Sequence, residues 1–237
     1  MVNSMKRTIS IFLIITIFIS LTACKQDNSY DTKFNISKSI TDEELTNCSK
    51  EYVDEFISIL RASDFKFSGL YGDSEPKAEN CLNVTPPQVA KDTDIKIFKF
   101  SDIALSIALI ENEIYPICRS LGGYGFVNAV PWDYDNDGNT DLLVASSFGS
   151  GLHRSEISVF NVITKESNII FETTELEDPR IDLIVRTASN KDSINYEVYS
   201  VNIKTNDNNF ADISYEMIEI IGIVELENGT PVFKISE

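Results

Sequence analysis

The sequence predicts a mainly β fold, in which antiparallel β-meander or partial-propeller-like sheets follow one N-terminal amphipathic helix. From residue 95 onward, short apolar or alternating segments recur, with turn signals between them at intervals of roughly 8–12 residues. Before them, one segment carries apolar residues at helical spacing. Because the length of chain after residue 40 suits one domain, we expect a single mostly β domain over residues 40–237.

The predicted helix covers residues 41–62. Thr41 and Glu44 have the spacing of a capping box, in which the two side chains bond backbone N–H groups at the start of a helix. The apolar residues that follow form one stripe with acidic residues opposite, so we expect the stripe to pack on the domain. The stripe consists of Leu45, Cys48, Tyr52, Val53, Phe56, Ile57 and Leu60.

Residues 64–94 are predicted to form a loop, because glycine and proline recur among them. The β region over 95–237 then begins with a hairpin whose turn we place at Asn112 and Glu113. The segment Met217–Val224 is so apolar that a short helix stays an alternative to a strand. The predicted strands are 95–100, 103–110, 113–119, 125–130, 141–146, 155–162, 168–172, 181–187, 194–203, 214–226 and 231–235.

The N-terminus has the features of a secretory signal. Lys6 and Arg7 form a basic start, and an apolar run follows that is shorter than the roughly 20 residues needed to span a bilayer. The run ends in Leu-Thr-Ala followed by Cys24, which resembles the bacterial lipobox. The resemblance implies a signal peptide over 1–23, lipidation of Cys24, and a tether over 24–39. An ordinary signal peptide with a cysteine at this place by chance is the alternative.

These N-terminal features predict a lipid-anchored protein on the extracytoplasmic face of the cell membrane. More than one acyl chain is needed for stable anchoring, and bacterial lipoproteins are normally multiply acylated. The chain has 37 acidic and 20 basic residues, with a formal charge of −17 at pH 7. Such an acidic chain argues against nucleic acid as a partner and suits divalent cations.

Three cysteines remain after Cys24, namely Cys48, Cys81 and Cys118. An oxidising exterior permits one disulfide, but the spacing leaves the pairing open. No pair has CxxC spacing, and His153 is the one histidine in the chain, so a zinc site built from these residue types is not expected.

The segment DYDNDGNTD, from Asp133 to Asp141, has the densest concentration of charged side chains. Asp133, Asp135 and Asp137 alternate, Gly138 permits a left-handed backbone, and Asp141 follows. Carboxylate oxygens select hard cations such as calcium, which takes six to eight oxygen ligands. We therefore expect a structural calcium site. The alternative is a solvated acidic turn without a specific metal, which leaves four neighbouring carboxylates to repel one another.

The order of these residues distinguishes the loop from an EF-hand. An EF-hand has a bidentate glutamate at its twelfth position, where this chain has Val144. The pattern D-x-D-x-D-G-x-x-D between two strands resembles the calcium loop of FG-GAP and VCBS repeats of integrin-type propellers and bacterial surface proteins. The resemblance covers one repeat, about residues 122–162, and implies these ligands: Asp133, Asp135, Asp137, Asn139 through its carbonyl, and Asp141. Propellers need four or more such units, so closure of the sheets stays open.

Residues 122–155 also resemble uncharacterised bacterial lipoproteins that carry one such loop. Within them the segment GSGLHRS contains His153 and Arg154, which could act as an acid–base and as an anion clamp in a binding or catalytic loop. A glycine-rich turn with local hydrogen bonds is the favoured interpretation. Trp132 could stack on a sugar, although a tryptophan before a metal loop is more often part of the core.

No catalytic constellation is recognisable by spacing. The chain lacks GxSxG, a Walker loop, and GxGxxG before a helix. We therefore expect a calcium-stabilised, non-catalytic binding or adhesion module for a protein or glycan. The alternative is an extracytoplasmic hydrolase that uses His153 and Arg154 near the metal site. A solute-binding lipoprotein is disfavoured because that class has two α/β lobes.

Overall fold

Three four-stranded antiparallel sheets dominate the part of the chain that the structure describes. The computed structural model describes residues 48–65, 76–101, 105–119, 121–190, 193–206 and 209–236. Residues Ile40–Glu237 form one compact unit. The mainly β fold of antiparallel sheets is confirmed. The signal peptide, Cys24, the tether and the capping box at Thr41 and Glu44 lie outside the described residues.

Each sheet is a meander, because strands that are neighbours in space are also consecutive in the chain. The first sheet consists of β1 (Cys81–Asn83), β2 (Lys96–Phe100), β3 (Ser106–Ile110) and β4 (Glu113–Pro116). The second sheet consists of β5 (Gly125–Trp132), β6 (Asp141–Phe148), β7 (Arg154–Asn161) and β8 (Glu166–Glu172). The third sheet consists of β9 (Asp182–Asn190), β10 (Ser193–Asn206), β11 (Asn209–Glu227) and β12 (Thr230–Ile235).

Strands β5, β6 and β7 of the second sheet are buried on both faces, whereas β8 is largely exposed. Leu143 on β6 belongs to an apolar cluster shared with the third sheet, which includes Val198. Its neighbour Val144 belongs to a different cluster, shared with Ile97 of the first sheet. Successive residues of a strand point to opposite faces, so this strand contacts both neighbours. All eight residues of β6 are buried, which explains why its sequence is a nearly continuous apolar run.

Helix α1 (Val53–Ala62) covers the other face of the first sheet. Its apolar side is buried, and the ring of Phe56 stacks on Phe98 of β2 with centroids 4.0 Å apart. The helix was predicted to begin at residue 41, but the described residues 48–52 are not helical. Ser49 pairs with Asn83 of β1 in an antiparallel bridge, and Tyr52 has a left-handed φ of 62°. Backbone pairing with β1 overrides the helical spacing of these residues.

The predicted loop over 64–94 is wrong in part. Its described portion contains β1, a 3-10 turn at Ala78–Asn80 and the short helix α2 (Pro87–Asp92). Pro87 stands in the first turn of α2, where proline costs no hydrogen bond. The hairpin turn between β3 and β4 is one residue earlier than predicted, at Glu111 and Asn112, whose φ values are 52° and 68°. Positive φ at both positions matches the twist of the flanking strands.

The apolar segment Met217–Val224 is a strand and not a helix. It lies in β11, which pairs with β10 on one side and β12 on the other. Gly222 is buried where β11 meets Phe233 of β12, and a Cβ at this glycine would overlap that ring and the carbonyl oxygen of Lys234. Long-range pairing on both sides decides a choice that local periodicity left open.

The three described cysteines are free thiols. Burial raises the pKa of the Cys48 thiol to about 11 and that of Cys118 to about 12. The Cys48 thiol donates to the carbonyl oxygen of Ala211 at 3.4 Å. Among the described helices, none has the length and apolar character that a bilayer crossing requires.

Candidate metal centre

The aspartate loop connects β5 to β6. Trp132 and Asp141 are the last paired residues of the two strands, so the ends of the loop are held by the sheet. Trp132 is 8% exposed, and its ring centroid lies 4.7 Å from that of Tyr196 in the third sheet. Its place in the core argues against the predicted alternative of a sugar-stacking platform.

Two residues with positive φ allow the loop to turn tightly. Asn136 has φ 57° and Gly138 has φ 86°. A Cβ at Gly138 would meet no atom within 4 Å, so backbone conformation and not space favours glycine there. The prediction of a left-handed backbone at Gly138 is confirmed.

Backbone N–H groups hold the carboxylates on the inside of the turn. The Asp137 N–H donates to Asp133 Oδ1 at 3.1 Å and to Asp135 Oδ1 at 3.2 Å. The Gly138 N–H donates to Asp133 Oδ2 at 3.2 Å, and the Asn139 N–H donates to Asp137 Oδ1 at 2.7 Å. As a result, carboxylate oxygens of Asp133, Asp135 and Asp137 lie within 4.8 Å of one another.

Asp141 lies outside this group of three and is buried, with 1% of its surface exposed. Its Oδ1 accepts the Val162 N–H at 2.7 Å, whereas its buried Oδ2 has no hydrogen-bond partner. The pKa of the Asp141 carboxyl is raised to about 6, mainly by burial and to a smaller extent by the charges of the three other aspartates, while the hydrogen bond from Val162 lowers it. A buried, unpartnered carboxylate oxygen is costly unless a cation or a proton compensates it.

The donor set fits a hard cation. Asp133, Asp135 and Asp137 supply clustered oxygens, and Asp141 adds an oxygen that has no other partner. The Asn139 side chain donates its Nδ2 to Asp137 Oδ1 at 3.1 Å, and its carbonyl as a ligand stays a prediction. Calcium accepts six to eight oxygens in flexible geometry, so water can complete such a shell.

One residue beside the loop was not foreseen from the sequence. Asn161, at the end of β7, directs its Nδ2 to Asp135 Oδ2 at 3.4 Å and to the Tyr134 hydroxyl at 3.3 Å. It is 5% exposed. The sequence places it 20 residues after Asp141 at the end of an apolar strand, and no short spacing links it to the loop.

His153 and Arg154 lie at the opposite end of β6 from the aspartate loop. β6 runs from Asp141 to Phe148, a length of about 23 Å at the rise of a β-strand. The structure therefore does not bring His153 and the aspartate loop together, contrary to what the hydrolase alternative expected. The Arg154 Nε is buried without a hydrogen-bond partner.

The His153 ring contacts two oxygens through one nitrogen. Its Nε2 is in contact with Ser147 Oγ and lies 2.9 Å from Asp182 Oδ1. The ring also lies 4.8 Å from that of Tyr124, centroid to centroid. A catalytic triad needs the serine and the carboxylate on different ring nitrogens, so this cluster is not arranged as one.

Comparison of the chain with models of protein families, with curated proteins and with solved structures gave no match. The metal loop and the His153 cluster are therefore interpreted from their own geometry.

Proposed function

We propose that this chain is a lipid-anchored, extracytoplasmic protein whose β domain binds calcium in the Asp133–Asp141 loop and serves as a non-catalytic binding module. The observation that carries the calcium site is the buried Asp141 Oδ2, which has no hydrogen-bond partner and ends a loop whose three other aspartates have clustered carboxylates. A hard cation would compensate both the buried charge and the mutual repulsion.

The metal's role in this proposal is structural. The loop closes a hairpin of the second sheet, whose faces pack on both other sheets. A cation that neutralises the loop would therefore stabilise the ends of β5 and β6, two strands that contribute to both apolar clusters. Protein oxygens would fill much of the calcium shell, which leaves few positions for a substrate.

Terbium luminescence gives a direct test of the loop. Trp132 is the one tryptophan of the chain, and its ring centroid lies 5.8 Å from that of Tyr134 within the loop. Excitation of these rings should sensitise terbium bound to the loop, and calcium should displace it. Asp135→Asn should abolish the signal, whereas Glu55→Gln, an equal charge change at an exposed position of helix α1, should leave it intact.

Thermal unfolding tests the stabilising role. The domain should melt about 5–10 °C higher in saturating calcium than in EGTA, by mass action on the folded state. Equal melting temperatures in the two buffers, together with a silent Asp135→Asn variant, would contradict the calcium site.

The lipid anchor rests on the LTAC segment ending at Cys24 and is tested separately. Cells that express the chain should incorporate labelled palmitate into it, and Cys24→Ser should abolish both labelling and membrane association. Labelling that persists in Cys24→Ser would refute the anchor without affecting the calcium site. A protein or a glycan is the ligand class proposed for the exposed domain.

A hydrolase is the second candidate, and the contact of Ser147 with His153 is the observation that favours it. Against it, Ser147 is fully buried, and Asp182 approaches the same ring nitrogen. A fluorophosphonate probe should leave the native chain unlabelled. Labelling that Ser147→Ala removes would favour the hydrolase over the binding module.

A further inference from the structure

The turn between β7 and β8, residues 162–165, and the last residue of β7 directly before it each form a hydrogen bond to the aspartate loop. The Val162 N–H donates to Asp141 Oδ1 at 2.7 Å, at the end of the loop. Asn161, directly before the turn, directs its Nδ2 to Asp135 Oδ2 at 3.4 Å, in the first half of the loop. One short segment therefore connects to two candidate cation ligands that are six positions apart in sequence.

The amide of Asn161 uses its whole hydrogen-bonding capacity between the loop and the turn. Its Oδ1 accepts the N–H groups of Ile163 at 3.0 Å and of Thr164 at 2.8 Å. Those two donors require an oxygen at this position, which leaves the Nδ2 to face the Tyr134 hydroxyl and the Asp135 carboxylate. The two contacts of the Asn161 Nδ2, with the Tyr134 hydroxyl and with Asp135 Oδ2, are longer than the usual 2.7–3.2 Å of N–H···O bonds.

We propose that Asn161 is a positioning residue of the cation site, and that cation binding orders the β7–β8 turn through Asn161 and Val162. The inference rests on the proposed calcium site and adds a second segment to it. A bound cation fixes the carboxylates of Asp135 and Asp141 in place. Because these carboxylates hold the side chain before the turn and the first N–H within it, the turn is restrained with them.

The position of the turn makes the effect measurable. Ile163 is 58% exposed, so water reaches the turn while its N–H groups stay hydrogen-bonded. The Lys165 N–H donates to the Asn161 carbonyl oxygen at 2.9 Å, which completes a set of protected amides from Val162 to Lys165. Exchange of such amides with solvent follows local opening of the hydrogen bonds.

Hydrogen–deuterium exchange of the full domain, with and without calcium, tests this inference. Amides of residues 162–165 should exchange several-fold more slowly in calcium than in EGTA. The turn at Glu111 and Asn112, between β3 and β4 in the first sheet, is the internal control and should exchange equally in both buffers.

Asn161→Ser separates the two roles of this side chain. A serine hydroxyl can still accept an N–H of the turn but is too short to reach Asp135. Loss of such an outer contact should weaken calcium binding by about tenfold. It should also reduce the calcium-dependent protection of Ile163 and Thr164, whereas a residue that only shapes the turn would alter exchange equally with and without calcium.

The outcomes distinguish this inference from the proposed function. If calcium displaces terbium from the loop but leaves exchange of residues 162–165 unchanged, the calcium site stands and this inference fails. If Asn161→Ser matches the native chain in calcium affinity and in calcium-dependent protection, the positioning role is wrong. If no calcium binds, both proposals fail together.

Discussion

At the scale of single residues, Asp141 shows how burial changes the meaning of a charged side chain. Its folded-state pKa of about 6 lies above the ordinary value of 3.8. Between these values the folded chain keeps a proton that the unfolded chain has lost, so this group makes stability fall as pH rises. Near neutral pH, the ionised Asp141 therefore destabilises the cation-free fold.

Substitution Asp141→Asn should have opposite effects with and without calcium. In EGTA near neutral pH it should raise the melting temperature by a few degrees, because the amide carries no buried charge. In calcium the variant should melt below the native chain, because a candidate ligand is lost. Melting temperatures in both buffers check this, and a shift of the same sign in both would show that Asp141 does not serve a cation.

Lys99 is a second buried ionisable residue, and it has no part in the proposed function. It is 2% exposed, and its Nζ donates to the Phe126 carbonyl oxygen at 2.9 Å. Burial lowers its pKa to about 8, although the thiols of Cys118 and Cys48 raise it slightly. The unfolded lysine titrates near 10.5, so the unfolded chain binds more protons between these values and this group makes stability rise with pH.

Comparison of the native chain with Lys99→Met isolates this effect. Raising the pH from about 7 to about 9.5 should stabilise the native chain relative to the variant by about 2 kcal/mol. Urea unfolding at the two pH values measures the difference. The variant is needed as a reference because the raised pKa values of Cys48 and Cys118 make stability fall as pH rises above about 9. Both chains contain these thiols, so the difference between the chains reports on Lys99. A difference in stability between the two chains that does not change with pH would contradict the lowered pKa of Lys99.

At the scale of elements, glycines allow two segments of the second sheet to pair, one before β5 and one after β6. Gly122 and Gly149 form a bridge between the segment before β5 and the segment after β6. Gly149 has φ 118°, and a Cβ there would overlap the Leu152 carbonyl oxygen. Gly151 has φ 93°, but a Cβ there would meet nothing within 4 Å. Gly149 and Gly151 therefore both have a positive φ, but only Gly149 lacks room for a Cβ.

Gly149→Ala and Gly151→Ala therefore form a matched pair. Gly151→Ala should cost about 1–2 kcal/mol for the left-handed backbone alone. Gly149→Ala should cost more, because backbone atoms must also move, and it should disturb the contact of His153 with Ser147. Urea unfolding measures the two costs. Equal destabilisation by the two variants would show that the close approach of Gly149 to the Leu152 carbonyl oxygen is unimportant for stability.

At the scale of the whole molecule, a side chain joins two sheets as a strand would. Asn128 of β5 donates its Nδ2 to the Val185 carbonyl oxygen at 2.7 Å, and its Oδ1 accepts the Val185 N–H at 3.0 Å. Both residues are buried. The second and third sheets therefore share hydrogen bonds as well as an apolar core, and we expect them to unfold together.

Asn128→Ala should leave two buried backbone groups of Val185 without partners. We expect a loss of about 2–4 kcal/mol, since each orphaned group costs a share of its desolvation energy. Asn202→Ala, on an exposed position of β10, is the control and should change stability little. Fluorescence and circular dichroism should show one coincident transition in each variant. Separate transitions would mean that the sheets unfold independently.

The sequence predicted the fold class and most strands correctly, because alternation and turn signals are local. It also predicted one of the two left-handed residues of the loop, Gly138, and missed the other, Asn136. It failed at the start of α1, where Ser49 pairs with β1, and it left a short helix open as an alternative for Met217–Val224, which is a strand as predicted. In both places the deciding hydrogen bonds come from distant parts of the chain.

The spacing D-x-D-x-D-G-x-x-D by itself determined that carboxylates would gather in one loop, because a tight turn brings alternate side chains together. Only the tertiary structure decided that Asp141 is buried with an unpartnered oxygen, that Asn161 reaches the loop from the end of β7, and that His153 lies at the other end of β6. These facts depend on strand pairing across the second sheet, where residues distant in sequence become neighbours and residues near in sequence are separated by the length of a strand.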